Sequence, residues 1–191
     1  CRVIVNSIGE IYKSLNNYKH SSVRHILKRE NDYIQNPKES GYRGYHAIYQ
    51  YQSDKTETYN KNMFIEIQFR TELQHLWATA VEMMGIYTKT SLKSSIGDKD
   101  ILRYFTLVSS IFAKTEETPV CPNTSDNLQE LITEIKIIDK KHKITPKLSA
   151  LSTAVNYMEQ GKSSSKVGYY ILILDYQEFK LSIQHYTPLN T

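Results

Sequence analysis

The eight residues MFIEIQFR, positions 63–70, alternate in character as a β-strand does. Successive side chains of a strand point to opposite faces, so Met63, Ile65, Ile67 and Phe69 go to one side and Phe64, Glu66, Gln68 and Arg70 to the other. The first set suits a core. The second sets a carboxylate, an amide and a guanidinium in a row beside one ring. There Glu66 can hold a divalent cation or accept the proton of an attacking hydroxyl, and Arg70 can grip phosphate oxygens with paired donors. A solvated sheet face with Glu66 paired to Arg70 fits the same pattern, so this strand alone leaves both readings open.

Upstream lies the loop NPKESGYRGYH, positions 36–46. Gly41 and Gly44 let the backbone turn sharply or approach a ligand closely. Lys38 and Arg43 bring positive charge, Tyr42 and Tyr45 offer ring faces for a base, and His46 can donate to a phosphate or a base edge. The glycine spacing and the missing GK[ST] ending exclude a Walker-type phosphate loop. By composition the segment also fits an exposed loop whose rings rest on the sheet.

The remaining chain reads as strands first, helices next and a hairpin last. CRVIV (1–5) is a short apolar strand, and Ser7 caps a helix through Tyr18 with Ile8, Ile11, Tyr12 and Leu15 on one side. Val23–Glu30 alternates as a strand, with Arg24 and Lys28 beside Ile26, and His25 and Arg29 beside Leu27. A further strand spans Tyr45–Tyr51, and 52–62 is a polar connection. Thr71 and Gln74 form a capping box ahead of a stripe of Leu73, Trp77, Ala80, Val81 and Met84. Helices follow over Lys99–Thr115, Asp126–Lys140 and Pro146–Gly161. A KSSSK linker and a hairpin of Tyr169–Leu174 with Phe179–His185 end the chain. His75 and Glu82, seven apart on one helix, share a flank but lack a zinc-protease spacing. The expected class is α+β: a mixed sheet with flanking helices over 1–95, a helical extension over 96–162 and a hairpin segment over 163–191.

With 191 residues and a net charge of +4, the chain has the size of one domain with an appendage, and its mild basicity permits phosphate-bearing ligands without requiring nucleic acid. Lys19, His20, Arg24, His25, Lys28 and Arg29 concentrate that charge ahead of the loop, where a solvated face or a polyphosphate would each suit it. Two cysteines, Cys1 and Cys121, make no disulfide framework and fit a reducing, cytoplasmic setting. No apolar run has the length of a membrane span. CRVIV reads as a strand entered without any lead-in, so the natural protein is expected to continue upstream of Cys1.

DYIQNPKESGYRGYHAIYQY (32–51) resembles the guanine-binding loop and following strand of RelA/SpoT-type (p)ppGpp synthetase domains, written D-Y-[IF]-x-x-P-K-x-x-G-Y-[RQ]-S-x-H. IEIQFRT (65–71) resembles their E-[VI]-Q-[IL]-R-T strand, and HLWATAVE (75–82) is similar to the helix after it in stand-alone members. The resemblance covers about residues 1–90 and implies a nucleotidyltransferase-like synthetase fold. The implied activity is transfer of pyrophosphate from ATP to the ribose 3′-hydroxyl of GDP or GTP, with Mg²⁺ as cofactor. It implies Glu66 as the catalytic and metal-binding carboxylate, whose partner Asp is expected upstream of Cys1. Lys38, Tyr42, Arg43, His46, Gln68 and Arg70 are the implied guanine-nucleotide contacts, Tyr42 by stacking. Without that Asp these 191 residues are expected to be inactive alone. Gly44 departs from the family's usual Ser. Two alternatives stay open: a toxin-type relative that modifies tRNA 3′ ends, and a non-catalytic guanine-nucleotide sensor. The helical extension is expected to be a packed subdomain, with an oligomerisation, regulatory or antitoxin-binding role open.

Overall fold

β4 (Phe64–Thr71) lies inside a four-stranded mixed sheet of order β1-β4-β3-β2, parallel to β1 (Arg2–Val5) and antiparallel to β3 (Tyr45–Gln50), which pairs antiparallel with β2 (Ile26–Asp32). This computed structural model describes residues 1–53 and 63–150, and the backbone of 169–175 and 180–186. β4 alternates as its pattern requires: Ile67 and Phe69 are buried, whereas Phe64 and Glu66 are exposed. Its inner face meets α1 (Ile8–Lys19), which starts where Ser7 Oγ accepts the Glu10 amide and which buries Ile11 and Leu15. These residues form one apolar cluster with Ile34, Ala47, Tyr49, Ile67 and Phe69.

The expected strand over Val23–Glu30 is corrected in position and in facing. β2 begins at Ile26 and carries a register shift between Leu27 and Arg29, so Lys28 is the extra residue of a bulge. A bulge interrupts the alternation of a strand. Leu27 stays opposite buried Tyr49 on the core side, but Arg29 sits opposite Ile48, which in turn is opposite Glu66. Arg29 therefore shares the open face with Glu66 and not the core face with Leu27. His25 precedes the strand, its ring tilted on Tyr51 at 5.0 Å between centroids.

β4 runs straight into α2 (Glu72–Thr88), and Thr71 and Gln74 form the complete capping box. α3 (Lys99–Thr115) is capped by Asp98, and α4 (Leu128–His142) by Asn127. Trp77 and Val81 of α2, Phe105, Val108 and Phe112 of α3, and Leu131 and Ile135 of α4 share a second apolar cluster. Residues 144–150 are helical, beginning two residues ahead of Pro146; the expected continuation to Gly161, the linker at 162–166 and positions 54–62 of the polar connection lie outside the described residues. β5 (Tyr169–Asp175) and β6 (Lys180–Tyr186) pair antiparallel as a separate two-stranded sheet. No helix among the described residues is long and apolar enough to cross a membrane.

Two isoleucines on α4 test this packing. Ile135 is fully buried and Ile137 is 66% exposed. Ile135→Ala should cost about 2–5 kcal/mol in urea denaturation, and Ile137→Ala should stay within about 0.5 kcal/mol of the parent.

Candidate active site

The open face of β4 does not carry the Glu66–Arg70 pair that its spacing permits. It carries a closed ring of hydrogen bonds running through the neighbouring strand and the loop before it. Arg70 is 2% exposed, its guanidinium carbon 5.1 Å from the centre of the Tyr42 ring. Its Nη2 donates to the Tyr42 hydroxyl and to Gln68 Oε1, each at 3.0 Å. Gln68 Nε2 donates onward to Glu66 Oε2 at 3.2 Å. On the other limb the Tyr42 hydroxyl lies 2.5 Å from His46 Nε2, and His46 Nδ1 lies 2.6 Å from Glu66 Oε1.

The donors assign the protons. Arg70 can only donate and an ionised Glu66 can only accept. Tyr42 therefore accepts from Arg70 and donates to His46 Nε2, and neutral His46 carries its proton on Nδ1, aimed at Glu66. Both limbs run from the guanidinium to the carboxylate. Burial supports this state: it lowers the proton affinity of the His46 ring, against the pull of Glu66, and Arg70 and Lys38 push the same way. Burial also raises the Tyr42 hydroxyl, against the pull of Arg70, keeping it protonated and able to donate.

Backbone conformation makes the ring compact. Gly44 has φ +152, and a Cβ there would stand 3.2 Å from the Tyr42 hydroxyl and 3.3 Å from Arg70 Cγ. The departure from serine at this position thus coincides with a close approach that a side chain would crowd. The Tyr42 plane is set by edge contacts with Tyr33, His46 and Trp77. Lys38 Nζ lies 4.3 Å from the Tyr33 ring centre and 5.5 Å from that of Tyr42.

Beside the ring opens a cleft of about 160 Å³, with Lys38, Tyr42, His46, Gln68 and Arg70 on its polar side and Trp77, Ala78, Val81 and Leu92 on its apolar side. Six of the seven expected site residues, Glu66, Lys38, Tyr42, His46, Gln68 and Arg70, gather in the ring or at this cleft. Arg43 does not join them. Its side chain, 2% exposed, turns away to pair with Glu116 at 2.7 Å. Of His75 and Glu82, the former has a buried Nδ1 without a partner and the latter pairs with Lys93 at 2.7 Å.

Of the apolar wall, Trp77 and Val81 belong to the stripe visible in sequence, whereas Ala78 and Leu92 do not. Trp77 and Val81 serve both purposes, packing inward with α3 while bounding the cleft. Lys93 also lines the cleft, brought there by the short 3₁₀ turn Leu92–Ser94 folded against α2; nothing in its local sequence signals that place.

Magnesium, which the resemblance implies, has a candidate ligand in Glu66. Glu66 keeps 46% of its side chain exposed beyond its two hydrogen bonds, which suits a cation that takes one or two carboxylates and completes its shell with substrate phosphates and water. Among the described residues the grouping of three metal-ligating side chains is Asp98, Asp100 and His142. It lies where α3 begins and α4 ends, and Asp100 there is already held by Lys141 at 2.6 Å and His142 at 3.0 Å.

The two depressed histidines set an acid sensitivity. His46 is held below the ordinary histidine value by burial, and His75 by burial and by the nearby Arg2 and Arg70. Above about pH 6.5, the unfolded value, neither state is protonated and the stability is complete. As pH falls further the unfolded chain takes up protons that the folded protein resists, and stability is lost. The urea midpoint should therefore decline from pH 7.5 to 5.5, and His75→Gln should flatten part of that decline. An unchanged slope in the variant would remove His75 from this account.

Residues 1–92 match the family model described as the region found in RelA/SpoT proteins. No curated protein matches the chain. Among solved structures, the small alarmone synthetase 2 from Bacillus subtilis is 25% identical with a TM-score of 0.51, over 61% of this chain and 59% of that one. The small alarmone synthetase 1 from the same organism, solved with its product pppGpp, is 22% identical with a TM-score of 0.51, over 61% and 56%. A GTP pyrophosphokinase family protein from Streptococcus pneumoniae is 25% identical with a TM-score of 0.48, over 61% and 54%. The two Bacillus subtilis structures show the alarmone synthetase fold over 61% of this chain, and the chain spans less than two thirds of the length of all three.

Proposed function

We propose that residues 1–92, the segment matching the region found in RelA/SpoT proteins, form the guanine-nucleotide side of a (p)ppGpp synthetase that moves pyrophosphate from ATP to the 3′-oxygen of GDP or GTP. The observation carrying this reading is Arg70. It is a buried cation lining the cleft, its Nε is unpartnered, and no carboxylate among the described residues is in direct contact with it. A desolvated guanidinium left in that state favours an anionic ligand.

In the proposed reaction the 3′-oxygen attacks the β-phosphorus of ATP. A bond forms between that oxygen and the β-phosphorus as the bond from the β-phosphorus to the α,β-bridging oxygen breaks, and AMP leaves. Glu66 takes the proton of the 3′-hydroxyl, and His46 and Gln68 hold its carboxylate in one orientation while it does so. The Tyr42 ring and the apolar wall of Trp77, Ala78, Val81 and Leu92 take the base, and Lys38 and Arg70 oppose phosphate charge. Glu66 would also hold magnesium, which would supply positive charge against the transferred polyphosphate.

The test is transfer from γ-labelled ATP by the full-length protein, offered GDP, GTP and tRNA. Label should appear on the guanosine nucleotide. Label on tRNA would reassign the acceptor, and GDP binding without any transfer would make the protein a sensor. Glu66→Gln should reduce turnover by at least about 100-fold with the circular dichroism spectrum unchanged; near-normal turnover would remove Glu66 as the base. Tyr42→Ala should weaken GDP binding by about 1–3 kcal/mol, measured by titration calorimetry.

A further inference from the structure

Helix α3 begins at Lys99, beyond the matched region, yet it grips the loop that carries Tyr42 and His46. Ser109 Oγ donates to the carbonyl of Gly41 at 2.6 Å, and Thr106 Oγ1 lies 3.4 Å from the carbonyl of Glu39. The contact is close enough to need glycine: Gly41 has φ +87, and a Cβ there would stand 2.9 Å from the Trp77 ring and 3.0 Å from Thr106 Cα.

At the far end of α3 stands Glu116, its side chain 8% exposed. Its Oε2 accepts from Arg43 Nη2 at 2.7 Å and from Gln74 Nε2 at 3.2 Å, and its Oε1 accepts a short hydrogen bond from the Thr71 hydroxyl. Arg43 Nη2 also donates to the Thr118 hydroxyl. Arg43 follows Tyr42 in the chain, and Thr71 follows Arg70. Tyr42 and Arg70 make the 3.0 Å hydrogen bond that joins the two limbs of the ring. One buried carboxylate therefore fastens the chain neighbours of both partners in that bond.

We propose that Glu116 is a positioning residue for the nucleotide cleft: through Arg43 and Thr71 it holds Tyr42 and Arg70 in register, so that α3 is a working part of the site. The nucleotide part of this proposal rests on the function proposed above. A buried ion pair is weak grounds for stability by itself, since an apolar pair of similar volume often serves as well or better. A carboxylate that engages three donors from two separate segments has a geometric role that such a replacement would not reproduce.

The experiment separates position from stability, and both from function. The ring nitrogens of His46 are observed by NMR at fixed pH in the ligand-free full-length protein, where the parent should show the Nδ1–H tautomer. Stability is read as the urea midpoint, and GDP affinity by titration calorimetry. Glu116→Gln should disturb the His46 signals and weaken GDP binding by on the order of tenfold to a hundredfold, with kcat at saturating nucleotide changing less than KM. The double variant Arg43→Met with Glu116→Leu should regain the urea midpoint while the His46 signals stay displaced. Ser109→Ala, which removes a single hydrogen bond, supplies the same readouts if the buried variants do not fold, and its His46 signals should also shift. Unchanged His46 signals in folded Glu116→Gln or Ser109→Ala, or recovery of both signals and midpoint in the double variant, would overturn the proposal. If the His46 signals move as expected but the parent does not bind GDP, the positioning role stands and the nucleotide reading fails.

Discussion

A guanidinium removed from water must spend its donors on the protein or on a ligand, and Arg70 is such a group. Its Nη2 is shared between Tyr42 and Gln68, and from those two bonds the direction of every other proton in the ring follows. Gln68 presents its amide nitrogen to Glu66 because its oxygen is taken by Arg70. His46 presents Nδ1–H to Glu66 because Nε2 is taken by the Tyr42 hydroxyl. The carboxylate is thereby oriented from two sides without a cation touching it, and stays half exposed. An ion pair between Glu66 and Arg70 would have engaged both; the indirect route leaves the carboxylate half exposed and the guanidinium without a carboxylate in contact.

Arg43 is the contrasting case. It is equally buried, but a carboxylate meets it directly, with Thr118 alongside. Two arginines of the same small region thus have opposite electrostatic completeness. One meets a carboxylate and ties loop to helix, although its Nε, like that of Arg70, has no partner, while the other faces the cleft without a carboxylate. The wall of that cleft belongs to the same apolar cluster that joins α2, α3 and α4, so packing of the helices and shape of the cleft cannot be varied independently. The indole of Trp77 shows the coupling at one residue: Nε1 donates to the Phe105 carbonyl at 2.7 Å while the ring bounds the cleft.

Local pattern was a sound guide where the governing interactions are local. Alternation along 63–70 separated Ile67 and Phe69 from Glu66 and Gln68, because the pleat of a strand decides facing within one residue. Thr71 and Gln74 announced the start of α2, because a capping box spans four residues. The same reasoning failed at β2. A bulge at Lys28 is a property of pairing with β3, and no pattern within 23–30 marks it, so Arg29 was read onto the wrong face.

The sequence by itself therefore determined the facing of β4, the caps at Ser7 and Thr71, the mixed α+β class and, through the motifs of the resemblance, a set of residues of which six gather in the ring or at the cleft. All of these rest on periodicity and on motifs a few residues long. Tertiary structure decided that Arg43 leaves that group, that Trp77 and Lys93 enter its surroundings, and that Glu66 and Arg70 communicate through Tyr42, His46 and Gln68 instead of pairing. Each of those outcomes turns on a contact between segments distant in the chain, such as Arg43 with Glu116 or Arg70 with Tyr42. Spacing within one element constrains which face a side chain takes, but its partner is chosen by whatever the rest of the fold brings to that face.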